Sequence, residues 1–167
     1  MFPIKIKQKA EKVFKLCLKK KVKLTFAESC TGGLLSSLIT SFPNSSKIFS
    51  CGYVTYSNLS KEKMLGVSKK TLKKYGELSR QVAREMASSA AIKANADIGI
   101  GITGIAGPGG ATKNKKVGDV YVALVHFKNK KFVQALDDGF LSLKGSREHI
   151  RLSSVDCALD YLLTVLE

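Results

Sequence analysis

The stretch LTFAESCTGGLLSSLIT, residues 24–40, is apolar at first, turns polar and small at Ser29-Cys30-Thr31-Gly32-Gly33, and becomes apolar again at helical spacing. A short apolar run favours a buried strand, and recurrence every three or four residues favours a helix. The spacing therefore predicts a strand over 23–27 and a helix from about Thr31 to Ser41. A glutamate, two hydroxyls, a thiol and two glycines stand at the switch. In open α/β sheets such strand-to-helix switches are where ligands gather. A helix start also offers free N–H groups and a partial positive charge.

Outward from this stretch the pattern keeps alternating. A helix is expected over 4–20, with Ile6, Ala10, Val13, Phe14, Cys17 and Leu18 inward. Pro43-Asn44-Ser45-Ser46 reads as a turn and 48–56 as a second strand. Asn58 is placed to cap a short helix that stops before Gly66, and Ser68 to cap another that ends at Gly76. Ser79 opens a longer helix to about Asn95, with Val82, Met86, Ala90 and Ala94 on one face. IGIGIT, from Ile98, is a buried-type strand, and a glycine-rich loop, 104–118, follows it. DVYVALVHF and KFVQALDDGFL, joined by a lysine-rich turn, predict a hairpin. Ser146 starts a last helix to about Leu166, with Ile150, Cys157, Leu162 and Val165 inward. The order predicts an α/β protein, a three-layer α/β/α sandwich around a mixed, mostly parallel sheet.

The chain of 167 residues is long enough for one domain with one core, and 1–167 is expected to be a single domain. No apolar run approaches the roughly 20 residues of a membrane helix. The N-terminus carries lysines without the apolar region of a secretory signal. The expected location is cytoplasmic, with no membrane partner. The four cysteines form no CxxC pair, and with two histidines no metal site is expected. The formal net charge is +15. Its lysine clusters fall mainly at element ends and turns, without interleaved aromatics. They read as a solvated surface that attracts anionic metabolites, not as a nucleic-acid interface.

Several residues have the chemistry for catalysis. Ser29, just before the helix, suits a nucleophile whose oxyanion would meet neighbouring backbone N–H groups, and Gly32 and Gly33 clear the approach. Ser29 or Thr31 also suits a plain helix cap. Cys30 is a rival nucleophile, since a thiol at a helix start has a lowered pKa. The two side chains point in different directions, so only one can serve. His126 and His149 read as surface residues. Lys61, in YSNLSK, is a base only if burial leaves it neutral, and is otherwise one more solvated lysine. Tyr56 and Asn58 stand beside it as donors. GIAGPGGATK fails the GxxxxGK[ST] pattern, although its glycines permit a backbone-lined anion site.

Taken together, TFAESCTGG, YSNLSKEKMLGV, YGELSRQVAREMASSA, GITGIAGPGG with VGDVYVAL, and the closing GSREHIR resemble the C-terminal domain of the competence/damage-inducible protein CinA. The resemblance covers essentially the whole chain in order. Stand-alone members of that family are nicotinamide-nucleotide amidases. It implies hydrolysis of the carboxamide of nicotinamide mononucleotide to nicotinate mononucleotide and ammonia, without metal or cofactor. It implies Ser29 as nucleophile and Lys61 as base, with Tyr56, Asn58 and Thr103 as supporting polar groups. Backbone N–H groups of Cys30, Thr31 and Gly32 are expected at the oxyanion. Arg147 and the loop from Gly104 through Gly107 to Gly110 are expected at the ribose-phosphate. A homo-oligomer, a dimer or larger, is implied too. The rivals are an amidohydrolase of another small amide and a silent domain that binds nucleotide or nucleic acid.

Two departures stand out. The family's full-length architecture has a further N-terminal domain, for which this chain is expected to have no room. Glu77 and Leu78 also stand in YGELS where a small residue and Val-Ser are expected after YG.

Overall fold

Strand β1, Leu24–Glu28, is buried along its whole length, and its alternation organises the molecule. Leu24 and Phe26 face one side, where they pack with Ile98, Ile100 and Ile102. Ala27 faces the other side and packs with Val82 and Met86. Successive strand side chains point to opposite faces, so a period of two serves both layers at once. The computed structural model describes residues 2–167.

Five strands form the sheet in the order β2-β1-β3-β4-β5. They are β1, β2 (Phe49–Val54), β3 (Ile98–Gly104), β4 (Asp119–Lys128) and β5 (Lys131–Ser142). β1 pairs in parallel with β2 and β3, while β4 is antiparallel to both β3 and β5. All strands except β4 therefore run one way, which is the mixed, mostly parallel sheet expected. The β4–β5 turn is Asn129-Lys130, both with positive φ. That is the backbone of a two-residue hairpin whose twist matches the strands.

Helices cover both faces. On one lie α1 (Ile4–Lys20), α2 (Leu34–Thr40) and α6 (Arg147–Leu166), sharing the larger apolar cluster. Leu18, expected inward on α1, is exposed, because Ile6, Ala10, Val13 and Cys17 already fill the buried stripe. On the other face lie α3, which begins at Asn58–Ser60 and continues as a π-helical turn over Lys61–Leu65, then α4 (Lys69–Tyr75) and α5 (Arg80–Ala94). α5 lies close against β3. A Cβ on Gly99 or Gly101 would overlap the carbonyls of Ala87 and Ala83. The alternation in IGIGIT thus gives isoleucines to one layer and a bare groove to the other.

Ser57, one residue earlier than expected, caps α3 in a reciprocal arrangement with Ser60. Ser68 and Ser79 cap α4 and α5 as expected. α2 starts at Leu34, three residues later than expected, behind left-handed Gly32 and Gly33. The cause is Glu28. Its carboxylate accepts from the Leu35 N–H at 3.1 Å, the Ser36 N–H at 2.9 Å and the Ser36 hydroxyl at 2.7 Å. A carboxylate at a helix start meets free donors and the positive end of the dipole.

Candidate active site

β1 and β3 are neighbours, yet the chain leaves β1 towards β2 on one side and returns to β3 on the other. A crevice opens between such strand ends. Ser29 follows β1, Tyr56 follows β2, and Thr103 and Gly104 close β3, so the three polar stretches meet on one rim. A cavity of about 220 Å³ lies there. Ser29, Cys30, Tyr56, Lys61, Glu77, Leu78, Thr103, the loop 104–110 and Arg147 line it.

Alternation places the two key groups. Glu28 takes the α2 face, so Ser29 takes the face that carries α3. Ser29 is 7% exposed and its N–H donates to the Ile102 carbonyl at 2.9 Å. Lys61 is buried beside it, at 2% exposed, because Leu65, one turn on, packs into the cluster beneath α5. The Lys61 Nζ donates to Ser29 Oγ at 3.1 Å. Among the described residues, no carboxylate bonds to this amine. Burial is the dominant influence and pushes its pKa below the ordinary lysine value, against a weaker opposing pull from Glu77 and the Cys30 sulfur.

Cys30 continues the alternation onto the opposite face and packs with the α1, α2 and α6 cluster. Burial raises its thiol to about 11, although its own N–H, Lys61 and Arg151 pull the other way. A lowered thiol pKa at a helix start was expected. The reverse holds because the helix starts further on and the sulfur sits in the core. Of the two candidate nucleophiles, only Ser29 has a base within hydrogen-bond reach.

Residues 29–32 form a tight turn closed by the Gly32 N–H donating to the Ser29 carbonyl at 3.1 Å. The Gly32 amide is thus engaged, while the Cys30 and Thr31 amides make no backbone hydrogen bond among the described residues. Two unengaged N–H groups directly after a serine in the chain suit an oxyanion. Thr31 and Gly32, expected at the substrate, do not line the cavity, because the turn carries them back from the rim towards the start of α2.

The other expected residues divide. The Thr103 hydroxyl donates to the Glu77 carbonyl at 2.9 Å, holding the segment before α5 against the end of β3. Arg147 donates to the Gly107 carbonyl at 2.6 Å and to the Tyr56 hydroxyl at 2.8 Å. It joins the glycine loop to the end of β2, and each terminal nitrogen keeps a second N–H. Tyr56 is 60% exposed, at the cavity mouth. Asn58 is exposed and lies outside the cavity. His126 pairs with Ile98, at the opposite end of the sheet, and His149 is exposed on α6. Among the described residues, no three His, Cys, Asp or Glu side chains cluster as a metal ion would require. No helix among them is long and apolar enough to cross a membrane.

Arg151 was missed by sequence reasoning. It donates to the Thr31 carbonyl from Nη2 at 2.6 Å and from Nε at 3.3 Å. The only signal was its place in GSREHIR, one helical turn after Arg147.

Comparison with known proteins agrees with this fold. Residues 6–166 match the CinA C-terminal domain. A competence-damage inducible protein of Caldanaerobacter subterraneus is 45% identical over 94% of this chain and 37% of its own length. A similar protein of Thermoanaerobacter pseudethanolicus is 46% identical over 93% of this chain and again 37% of its own. The chain therefore spans just over a third of these curated relatives. The crystal structure of competence/damage inducible protein CihA from Agrobacterium tumefaciens superposes with a TM-score of 0.93 at 35% identity, covering 100% of this chain and 99% of that one. A CinA superfamily protein from Escherichia coli superposes at 0.86 with 30% identity, covering 99% and 94%. With residues 6–166 matched by the family and nearly its whole length covered by these relatives, the chain belongs to the CinA C-terminal domain family.

Proposed function

We propose that the protein is a serine amidase that hydrolyses the carboxamide of nicotinamide mononucleotide. The observation that carries this reading is the buried Lys61 amine, within hydrogen-bond reach of Ser29 Oγ at 3.1 Å and, among the described residues, with no carboxylate bonded to it. A lysine that is neutral near physiological pH is a competent base for a serine hydroxyl.

In this reading Lys61 takes the Ser29 proton as Oγ attacks the carboxamide carbon. The amides of Cys30 and Thr31 receive the oxyanion. The Lys61 ammonium returns the proton to the leaving nitrogen, and ammonia departs. Water, deprotonated by Lys61, then attacks the acyl-serine, the bond to Oγ breaks, and Lys61 returns the proton to Ser29 Oγ as the acid leaves. The cavity, about 220 Å³, is smaller than the roughly 300 Å³ at which pockets for whole drug-sized ligands begin. The pyridine ring and carboxamide occupy it, and the ribose-phosphate lies at the mouth. Arg147, Gly104 and Gly107 are beside it there, and Lys115 reaches over Gly76 nearby. The same reading sets the enzyme in the cytoplasm as a homo-oligomer acting in pyridine nucleotide salvage.

Ammonia release from nicotinamide mononucleotide tests the proposal, with wild type, Ser29→Ala and Cys30→Ala side by side. Activity is expected to vanish in Ser29→Ala and to survive in Cys30→Ala. If Cys30→Ala alone is dead, the serine mechanism falls. If wild type releases no ammonia, the substrate assignment falls.

A further inference from the structure

The turn that carries Ser29 is held from outside by a residue 120 positions away. The peptide between Thr31 and Gly32 is bonded at both ends. Its N–H donates to the Ser29 carbonyl, and its C=O accepts the Arg151 guanidinium as well as the Leu34 N–H at 3.3 Å. Gly32 adopts a positive φ of 59° there, and a Cβ on it would lie 3.6 Å from Arg151 Nη2. A loop of two successive left-handed glycines has little rigidity of its own. A planar guanidinium donating twice to one oxygen supplies the missing constraint.

We infer that Arg151 is a positioning residue. By fixing the Thr31 carbonyl it locks the 29–32 turn, and so sets the direction of the free Cys30 and Thr31 amides relative to Ser29 Oγ. Arg151 does not line the cavity around Ser29, and its hydrogen bonds go to the Thr31 carbonyl. Its effect falls on the chemical step and not on binding. The inference rests on the serine amidase reading, but only on its nucleophile and oxyanion, not on its substrate.

The test has two parallel arms. In one, kcat and KM for ammonia release from nicotinamide mononucleotide are measured for wild type, Arg151→Ala and Arg151→Lys. In the other, a fluorophosphonate, whose phosphoryl oxygen needs the same two amides, labels Ser29 in the same proteins. Misaimed oxyanion donors cost about a hundredfold. Arg151→Ala is expected to lower kcat and the labelling rate by about that factor, with KM within about threefold of wild type. Arg151→Lys is expected to recover part of both. Circular dichroism and Tm verify that each variant is folded. The inference is overturned if Arg151→Ala keeps wild-type kcat and labelling, if KM rises while labelling stays normal, or if Arg151→Lys recovers nothing while folded. If wild type is labelled but releases no ammonia, the substrate reading fails and labelling alone decides the role of Arg151. If wild type shows neither, Ser29 is not a nucleophile and both ideas fall.

Discussion

Lys61 is held where a lysine is costly. Its ammonium has left water without gaining a carboxylate, so the folded chain favours the neutral amine. Stability and activity therefore pull in opposite directions at this position. Lys61→Met is expected to lower kcat/KM for ammonia release by about a thousandfold or more while raising stability by about 0.5–2 kcal/mol in chemical denaturation. The sign with pH follows from linkage. With a folded pKa below the unfolded one, the folded state binds fewer protons in the interval between them. Wild type is thus penalised in full below the folded pKa and gains stability as pH rises towards 10.5. The advantage of Lys61→Met is expected to be largest near neutral pH and to shrink in alkali. A variant less stable than wild type at every pH would mean that Lys61 is a structural group. Neither residue of this pair was decidable in isolation. Ser29 read equally as a cap, and Lys61 as one of many lysines, because the contact that distinguishes them spans 32 residues.

α2 and α5 show what periodicity reveals and what it leaves out. The runs at 4–20 and 80–94, the strand LTFAE and the hairpin were legible because alternation and recurrence are local properties. The start of α2 was not, because the group that terminates it is Glu28, at the end of the preceding strand. Glu28→Ala removes the acceptor of three donors and is expected to destabilise the protein by about 1–3 kcal/mol, with Glu28→Gln milder, read by chemical denaturation. The loss is expected to carry activity with it, since the turn that presents Ser29 is bounded by that contact. The close fit of α5 on β3 belongs to the same class. Gly101→Ala places a methyl against the Ala83 carbonyl and is expected to cost about 1–3 kcal/mol, measured as a fall in Tm. The Arg147 and Arg151 contacts escaped the sequence because an arginine declares no partner. Only the fold shows that one face of α6 reaches all three strand-end loops.

Assembled, the molecule is a five-stranded sheet whose crevice lies where strand order reverses, within a protein of net charge +15. Lys113, Lys115 and Lys116 lie in the loop that runs on from the cavity rim, and Arg147 stands on the rim itself. Such a field raises the local concentration of an anionic substrate and is screened by salt. KM for the nucleotide is expected to rise by about two- to fivefold between about 0.01 and about 1 M salt, with kcat unchanged. A nucleic-acid-binding role would show a far steeper loss of affinity. A KM indifferent to salt would mean that the basic surface plays no part in capturing substrate.

The dependence of kcat/KM for ammonia release on pH tests the neutral-lysine dyad most directly. One proton lost should switch the enzyme on, and the rate should rise with an apparent pKa well below the roughly 10.4 of an ordinary lysine. The rise should be absent from whatever activity Lys61→Met retains. A wild-type rate that climbs only with an ordinary lysine, or that keeps its profile in Lys61→Met, would contradict the assignment of Lys61 as the base for Ser29.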